Sequence, residues 1–143
     1  MSKGTVLIGA AFVVLAFFGL PGCSNSNEAV LSGGEQVKLR SIQSRRFETN
    51  DKNKTLRTAM ATLQDLGFVI DEADDNLGTV SATKLDRYYA MRITITVRPY
   101  GENQLVVRAS AQYNLKAVED PEPYQQFFNA FEKAMFLTAH QIE

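Results

Sequence analysis

One thiol, one imidazole, one serine–lysine pair and one run of acids are the groups here with chemistry to offer. Cys23 is the only cysteine. No internal disulfide can form, so its thiol is left for modification. His140 is the only histidine, which leaves no histidine pair for a metal. It falls in the last turn of the final helical pattern, where a basic group complements the helix dipole. Ser81-Ala82-Thr83-Lys84 has the spacing of a serine nucleophile with a lysine base. That device needs a helix start and S-D-N and K-T-G partners, which the chain lacks. Placed in a strand, residues three apart point to opposite faces and cannot converge. Asp71, Glu72, Asp74 and Asp75 precede Asn76 and Gly78. Hard cations favour oxygen ligands, yet the EF-hand spacing fails: counted from Asp71, the third position is Ala73, the sixth Asn76 and the twelfth Ala82. Asp71 to Gly78 therefore reads as a solvated polar turn, with weak calcium binding as the alternative. With no G-x-S-x-G and no P-loop either, neither an enzyme nor a cofactor or metal site is expected.

The position of Cys23 says more than its type. Met1-Ser2-Lys3 is followed by an apolar run from Val6 to Leu20 and then Leu20-Pro21-Gly22-Cys23-Ser24. A basic start, a short apolar stretch and a small residue before the cut mark a secretory signal. The run is shorter than the ~20 apolar residues of a transmembrane helix. Gly22-Cys23 at its end resembles the lipobox of bacterial lipoproteins. That resemblance implies a signal peptide over 1–22 and a mature chain beginning at an acylated Cys23, with diacylglyceryl and N-linked palmitate-type chains. Two or more chains anchor a protein stably where one does not. Ser24 rather than Asp after the cysteine implies the outer membrane, inner leaflet, facing the periplasm. Residues 23–36, rich in Ser, Asn and Gly, read as a flexible tether. Residues 37–143 read as one domain.

The domain must position whatever the protein uses. Val37 to Thr49 is predicted as a strand, with a bulge near Ser41 to reconcile Leu39, Ile42 and Phe47. Asn50 or Asp51 caps a helix whose Leu56, Ala59, Met60, Leu63 and Leu66 form one stripe. Gly67 supplies its left-handed C-cap. Phe68 to Ile70 and Thr79 to Lys84 are short strands. Met91, Ile93, Ile95 and Val97 alternate with Arg92, Thr94, Thr96 and Arg98. After a turn at Pro99 to Asn103, Leu105, Val107, Ala109, Ala111 and Tyr113 alternate with Val106, Arg108, Ser110 and Gln112. The two form an antiparallel hairpin with one apolar face. Pro121 and Pro123 open a final helix capped by Asp120 or Glu122. Its stripe is Tyr124, Phe127, Phe128, Phe131, Met135 and Thr138. Phe136 and Leu137 flank the stripe and are expected to widen its buried face; exposed beside His140, one would instead seat a partner. The prediction is an α+β fold, a two-layer antiparallel sheet with two helices on one face, in the order β-α-β-β-β-β-α.

Leu63-Gln64-Asp65-Leu66-Gly67-Phe68-Val69-Ile70 with Gly78-Thr79-Val80 resembles the helix–glycine–strand–turn–strand unit of small envelope lipoproteins, including the helix-grip domains of BamC-type accessory lipoproteins. It implies a helix-grip-like packing and carries no functional residue across.

Charge is uneven within a net −1. Bases crowd Lys38 to Arg57, and acids dominate after Ala117. The expected role is a non-enzymatic binding or scaffolding subunit of an envelope assembly, held by its lipid anchor. Its predicted partner-binding residues are Arg40, Arg45 and Arg46 with Arg92, Arg98 and Arg108. The alternative is a carrier holding a lipid or other apolar ligand between helix and sheet, lined by Phe127, Phe128 and Phe131. An exported lipoprotein meets little nucleic acid, so none is expected as a partner.

Overall fold

A computed structural model describes residues 33–140. Cys23, the signal segment and most of the tether lie outside the described residues. The elements in chain order are α1 (Gly33–Ile42), β1 (Ser44–Phe47), α2 (Lys52–Asp65), β2 (Val69–Asp74), β3 (Thr79–Leu85), β4 (Ala90–Tyr100), β5 (Gln104–Tyr113), β6 (Lys116–Ala117) and α3 (Pro121–Ala139). The fold is α+β, with an antiparallel sheet in the order β1-β5-β4-β3-β2. β6 pairs with β5 on the edge that β1 leaves free. No helix among the described residues is long and apolar enough to cross a membrane.

Local hydrogen bonding fixes the helix ends. Asp51 caps α2, its carboxylate accepting the Lys54 N–H at 2.8 Å. At the other end Gly67 takes φ +83°. The Gly67 N–H donates to Gln64 O and the Phe68 N–H to Leu63 O, both at 2.9 Å. This is a Schellman closure, and Phe68 packs onto the core beside it. Lys84 adds its Nζ to the Leu66 carbonyl at 2.9 Å, a cation at the negative end of the helix. Thr55, Thr58 and Thr62 are buried along α2 because each hydroxyl donates back to the carbonyl four residues earlier. Asp120 caps α3 by accepting the Glu122 N–H at 2.9 Å, with Pro121 at the first helical position.

The predicted strand over 37–49 is replaced by a helix and a four-residue strand, so the element order is α-β-α-β-β-β-β-β-α. Leu39 and Ile42 lie three apart and both pack against the core, while Val37 is exposed. The spacing that mattered was helical. Gln43 ends α1, and its carbonyl accepts the Ala109 N–H at 2.8 Å, bringing the chain onto β5. α1 also takes in Gly33–Gln36, assigned above to the tether. β2 runs to Asp74, so Asp71, Glu72 and Asp74 belong to a strand and the turn is confined to 75–78. The register slips between Ile70 and Glu72, which makes Asp71 a bulge.

β4 continues through Pro99 to Tyr100. The Val97 N–H donates to Gly78 O at 2.8 Å, toward the β3 side. Two residues on, the Pro99 nitrogen faces the same side, where β3 has ended at Thr79 opposite Thr96. No ladder bond is lost there.

Met91, Ile93, Ile95 and Val97 of β4 and Leu105, Val107, Ala109 and Ala111 of β5 are buried. They join Leu56, Ala59 and Leu63 of α2 and Tyr124, Phe127, Phe128 and Phe131 of α3 in one cluster.

Two glycines separate backbone strain from crowding. Gly78 has φ +67° and Gly101 φ +70°. A Cβ at Gly78 would sit 2.5 Å from Val97 O, whereas one at Gly101 meets nothing within 4 Å. Gly101→Ala should cost about 1 kcal/mol from the left-handed backbone alone. Gly78→Ala adds a backbone clash and should cost about 2 kcal/mol. Denaturant midpoints check this, and equal values would show that the turn relaxes freely.

Candidate functional site

The residues alternating with the core along β4 and β5 build the other sheet face. Arg92, Thr94, Thr96 and Arg98 stand opposite Gln112, Ser110, Arg108 and Val106 respectively. β1 extends the rows: Ser44 pairs with Arg108, and Arg46 with Val106. Arg46, Val106 and Arg98 thus share one cross-strand row, and Ser44, Arg108 and Thr96 the next. Neighbouring positions across such rows lie about 5 Å apart and diagonal ones about 7–8 Å. Three guanidinium stems are therefore gathered at one corner of the face.

A groove of about 470 Å³ lies there, lined by Ser44, Thr94, Thr96, Arg98, Val106, Arg108 and Ser110. Its floor is largely hydroxyl and its sides are guanidinium. Ser81 extends the hydroxyl row, its Oγ lying 3.0 Å from Thr94 Oγ1. Among the described residues, neither Arg98 nor Arg108 meets a carboxylate. Arg46 lies with its guanidinium carbon 5.1 Å from the centre of the Tyr100 ring. An uncompensated pair of planar, five-donor cations over hydroxyls suits a carboxylate or phosphate ligand.

The other predicted arginines are not in this corner. Arg92 lies 3.6 Å from the Asp71 carboxylate at the opposite flank of the face. Asp71 also accepts the Thr83 hydroxyl at 2.6 Å. Arg45 points to the core side of β1, bonds Glu132 of α3 at 2.5 Å and lies 5.0 Å over the Phe128 ring. It ties the basic segment to the acidic one. Arg40 is exposed on α1.

Ser81 and Lys84 diverge: Ser81 meets Thr94, and Lys84 caps α2. The acids of β2 are likewise dispersed. Asp71 serves Thr83 and Arg92, while Asp74 accepts the Leu77 N–H at 2.8 Å. No group of three metal-ligating side chains occurs among the described residues. His140 is the C-cap of α3, its ring 4.2 Å from that of Phe136 and its Nδ1 2.7 Å from the Phe136 carbonyl. Phe136 and Leu137 are exposed, not the widened buried face expected, because the sheet-facing stripe ends near Met135.

The phenylalanines of α3 pack closely on one another, and a cleft remains between the first turns of α3 and β4. Phe127, Phe128 and Phe131 are at most 1% exposed and pack ring on ring at 5.2 and 5.4 Å. Of these, Phe127 borders a cleft of about 290 Å³ at the end of the sheet, beside Phe68, Tyr89, Met91 and Tyr113. A hydrogen bond to Asp86, and then that carboxylate's charge, raises the Tyr89 phenol above its usual pKa.

Sequence reasoning missed the Tyr124 hydroxyl. It donates to Val118 O at 2.6 Å and accepts from Gln43 Nε2 at 3.1 Å and the Ala111 N–H at 3.3 Å. Its one visible signal was a tyrosine heading a stripe whose other aromatic residues are all phenylalanine.

No protein-family model matches the chain, and no curated protein matches it.

Proposed function

We propose that this is a membrane-anchored envelope lipoprotein, acylated at Cys23, that acts without catalysis as a binding or scaffolding subunit. Its partner is a protein presenting carboxylates, and it docks on the corner formed by Arg46, Arg98 and Arg108. The observation that carries this is the unpaired Arg98–Arg108 couple over a hydroxyl floor. The chain's Gly22-Cys23-Ser24 supports an anchor in the inner leaflet of the outer membrane, facing the periplasm. The packing is helix-grip-like, two-layered, with α2 and α3 on the face opposite the arginines. The carrier alternative is less favoured, because of the three phenylalanines only Phe127 borders the cleft between α3 and β4, which Lys84, Asp86, Asp120 and Glu122 also line.

Crosslinking in intact cells, with recovery of the tagged chain and mass spectrometry, tests this. Arg98→Glu with Arg108→Glu should reduce capture of the recovered partner at least tenfold, about 1.4 kcal/mol. Both side chains are exposed, so stability should stay within about 0.5 kcal/mol. Undiminished capture would overturn the arginine corner. Cys23→Ala should abolish the same crosslinks by releasing the chain from the membrane. Arg40→Glu is the control and should leave capture unchanged.

A further inference from the structure

The three most exposed large apolar side chains of the described residues are Leu115, Tyr88 and Leu85, at 94%, 88% and 79%. All three lie at one end of the sheet. Leu85 ends β3, Tyr88 lies in the β3–β4 turn, and Leu115 lies in the β5–β6 turn. The two turns are tied together at their base. The Asn114 N–H donates to Ala90 O at 2.9 Å, and the Asn114 side-chain carbonyl accepts the Ala90 N–H at 3.4 Å. The Tyr89 ring packs edge-on to Tyr113 at 4.9 Å. Asp86 closes the first turn: its N–H donates to Tyr89 O at 2.9 Å, and its carboxylate accepts the Arg87 N–H at 2.6 Å.

This end is also where the chain enters the domain. Glu35 and Lys38 of α1 border Glu119 and Pro121. Asp120 and Glu122 border Tyr89 and Tyr113. Ten peptide steps separate Cys23 from Gly33, and they span at most ~36 Å. An anchored Cys23 therefore holds this end within reach of the bilayer.

We propose that the paired turn tips are a second membrane contact, with Tyr88, Leu85 and Leu115 seated in the lipid interface. The inference rests on the anchor reading. Tyrosine favours the headgroup level, where its ring is apolar and its hydroxyl wet. Leucines beside it enter the acyl boundary, and Arg87 and Lys116, adjacent to Tyr88 and Leu115, reach phosphates with flexible stems. Such a contact is weak alone and becomes effective once the anchor has raised the local concentration of lipid. Acids at the same end, including Glu119 and Glu122, offset the bases, so zwitterionic lipid suffices. Docked this way, the domain would turn its arginine face sideways, open to a partner.

The test uses the full acylated chain, which contains no tryptophan of its own. Tyr88→Trp and Tyr100→Trp variants are reconstituted into phosphatidylcholine vesicles with or without brominated acyl chains, and flotation is followed by emission spectra. Tyr100 lies at the far end of β4 from Ala90, about 33 Å away at the usual strand rise. The indole at position 88 should be blue-shifted and quenched by bromine, and that at position 100 should be neither. Flotation with identical, unquenched spectra at both positions would overturn the tip contact and leave the anchor standing. Failure to float would overturn the anchor and the tip contact with it. A blue shift at position 88 that grows with protein concentration in detergent, without bromine quenching, would mean a second copy covers the tips and would also overturn the proposal.

Discussion

Phe131→Ala should lower stability by about 3–5 kcal/mol, read as the shift in denaturant midpoint at constant slope. Phe131 is fully buried. Its ring meets Phe47 of β1 edge-on at 5.0 Å and stacks on Phe127 at 5.4 Å. The side chain therefore joins α3 to the edge strand as well as to its own helix. Truncation removes the transfer energy of a ring and leaves a cavity that the flanking Phe47 and Phe127 rings cannot collapse to fill. Native domains hold only about 5–15 kcal/mol in all, so the loss is a large share. The melting temperature should fall by more than about 10 °C. Phe136→Ala is the internal comparison. It is the same chemistry five residues on in the same helix, but Phe136 is 62% exposed. It should change stability by no more than about 0.5 kcal/mol. Similar losses at both positions would mean that α3 does not present the stripe described here.

The contrast between those two residues shows what a sequence can and cannot disclose. Period-2 alternation placed β4 and β5 correctly, because one face of each is buried and a one-residue slip would invert every side chain. Asp51, Gly67 and Asp120 marked helix ends because capping is local chemistry. Phe136 and Leu137 were harder. A helical stripe has soft edges, and its width depends on how far the sheet extends beneath it. α1 was misread for a related reason. Val37, Leu39 and Ile42 fit a broken strand about as well as a helix face, and tertiary packing decided between them. β6 has two residues and exists only because β5 offers a free edge beyond β1.

The candidate site was legible in part. Parity alone put Arg92, Arg98 and Arg108 on one face. It did not show that Asp71, displaced by a bulge, neutralises Arg92. Arg45 and Arg46 looked like one basic segment. In a strand, adjacent residues point to opposite faces, so Arg45 went to Glu132 and Arg46 to the arginine corner. Which of the two faced which way depended on pairing with β5, sixty residues downstream in the chain and invisible to local pattern.

Tyr124→Phe should cost about 3 kcal/mol although it removes one oxygen from a fully buried ring. The reason lies on the outer edge of β5. β1 covers that edge from Leu105 to Arg108, and β6 covers it at Gln112 and Tyr113. The Ala109 N–H between them goes to Gln43 O, and the Ala111 N–H goes to the Tyr124 hydroxyl. The same oxygen donates to Val118 O and accepts from the Gln43 amide, whose residue is buried. A phenylalanine fits the space yet leaves a backbone donor, a backbone acceptor and an amide without that partner in a dry site. An unsatisfied buried group costs about 1–3 kcal/mol, more than a net hydrogen bond contributes. The deletion should also loosen the segment joining β6 to α3. Amide exchange should therefore accelerate at Ala111 more than at Ile95 of β4, whose strand is paired on both sides. A loss below about 1 kcal/mol, with exchange at Ala111 unchanged, would show that the hydroxyl fills space and does not complete the sheet edge.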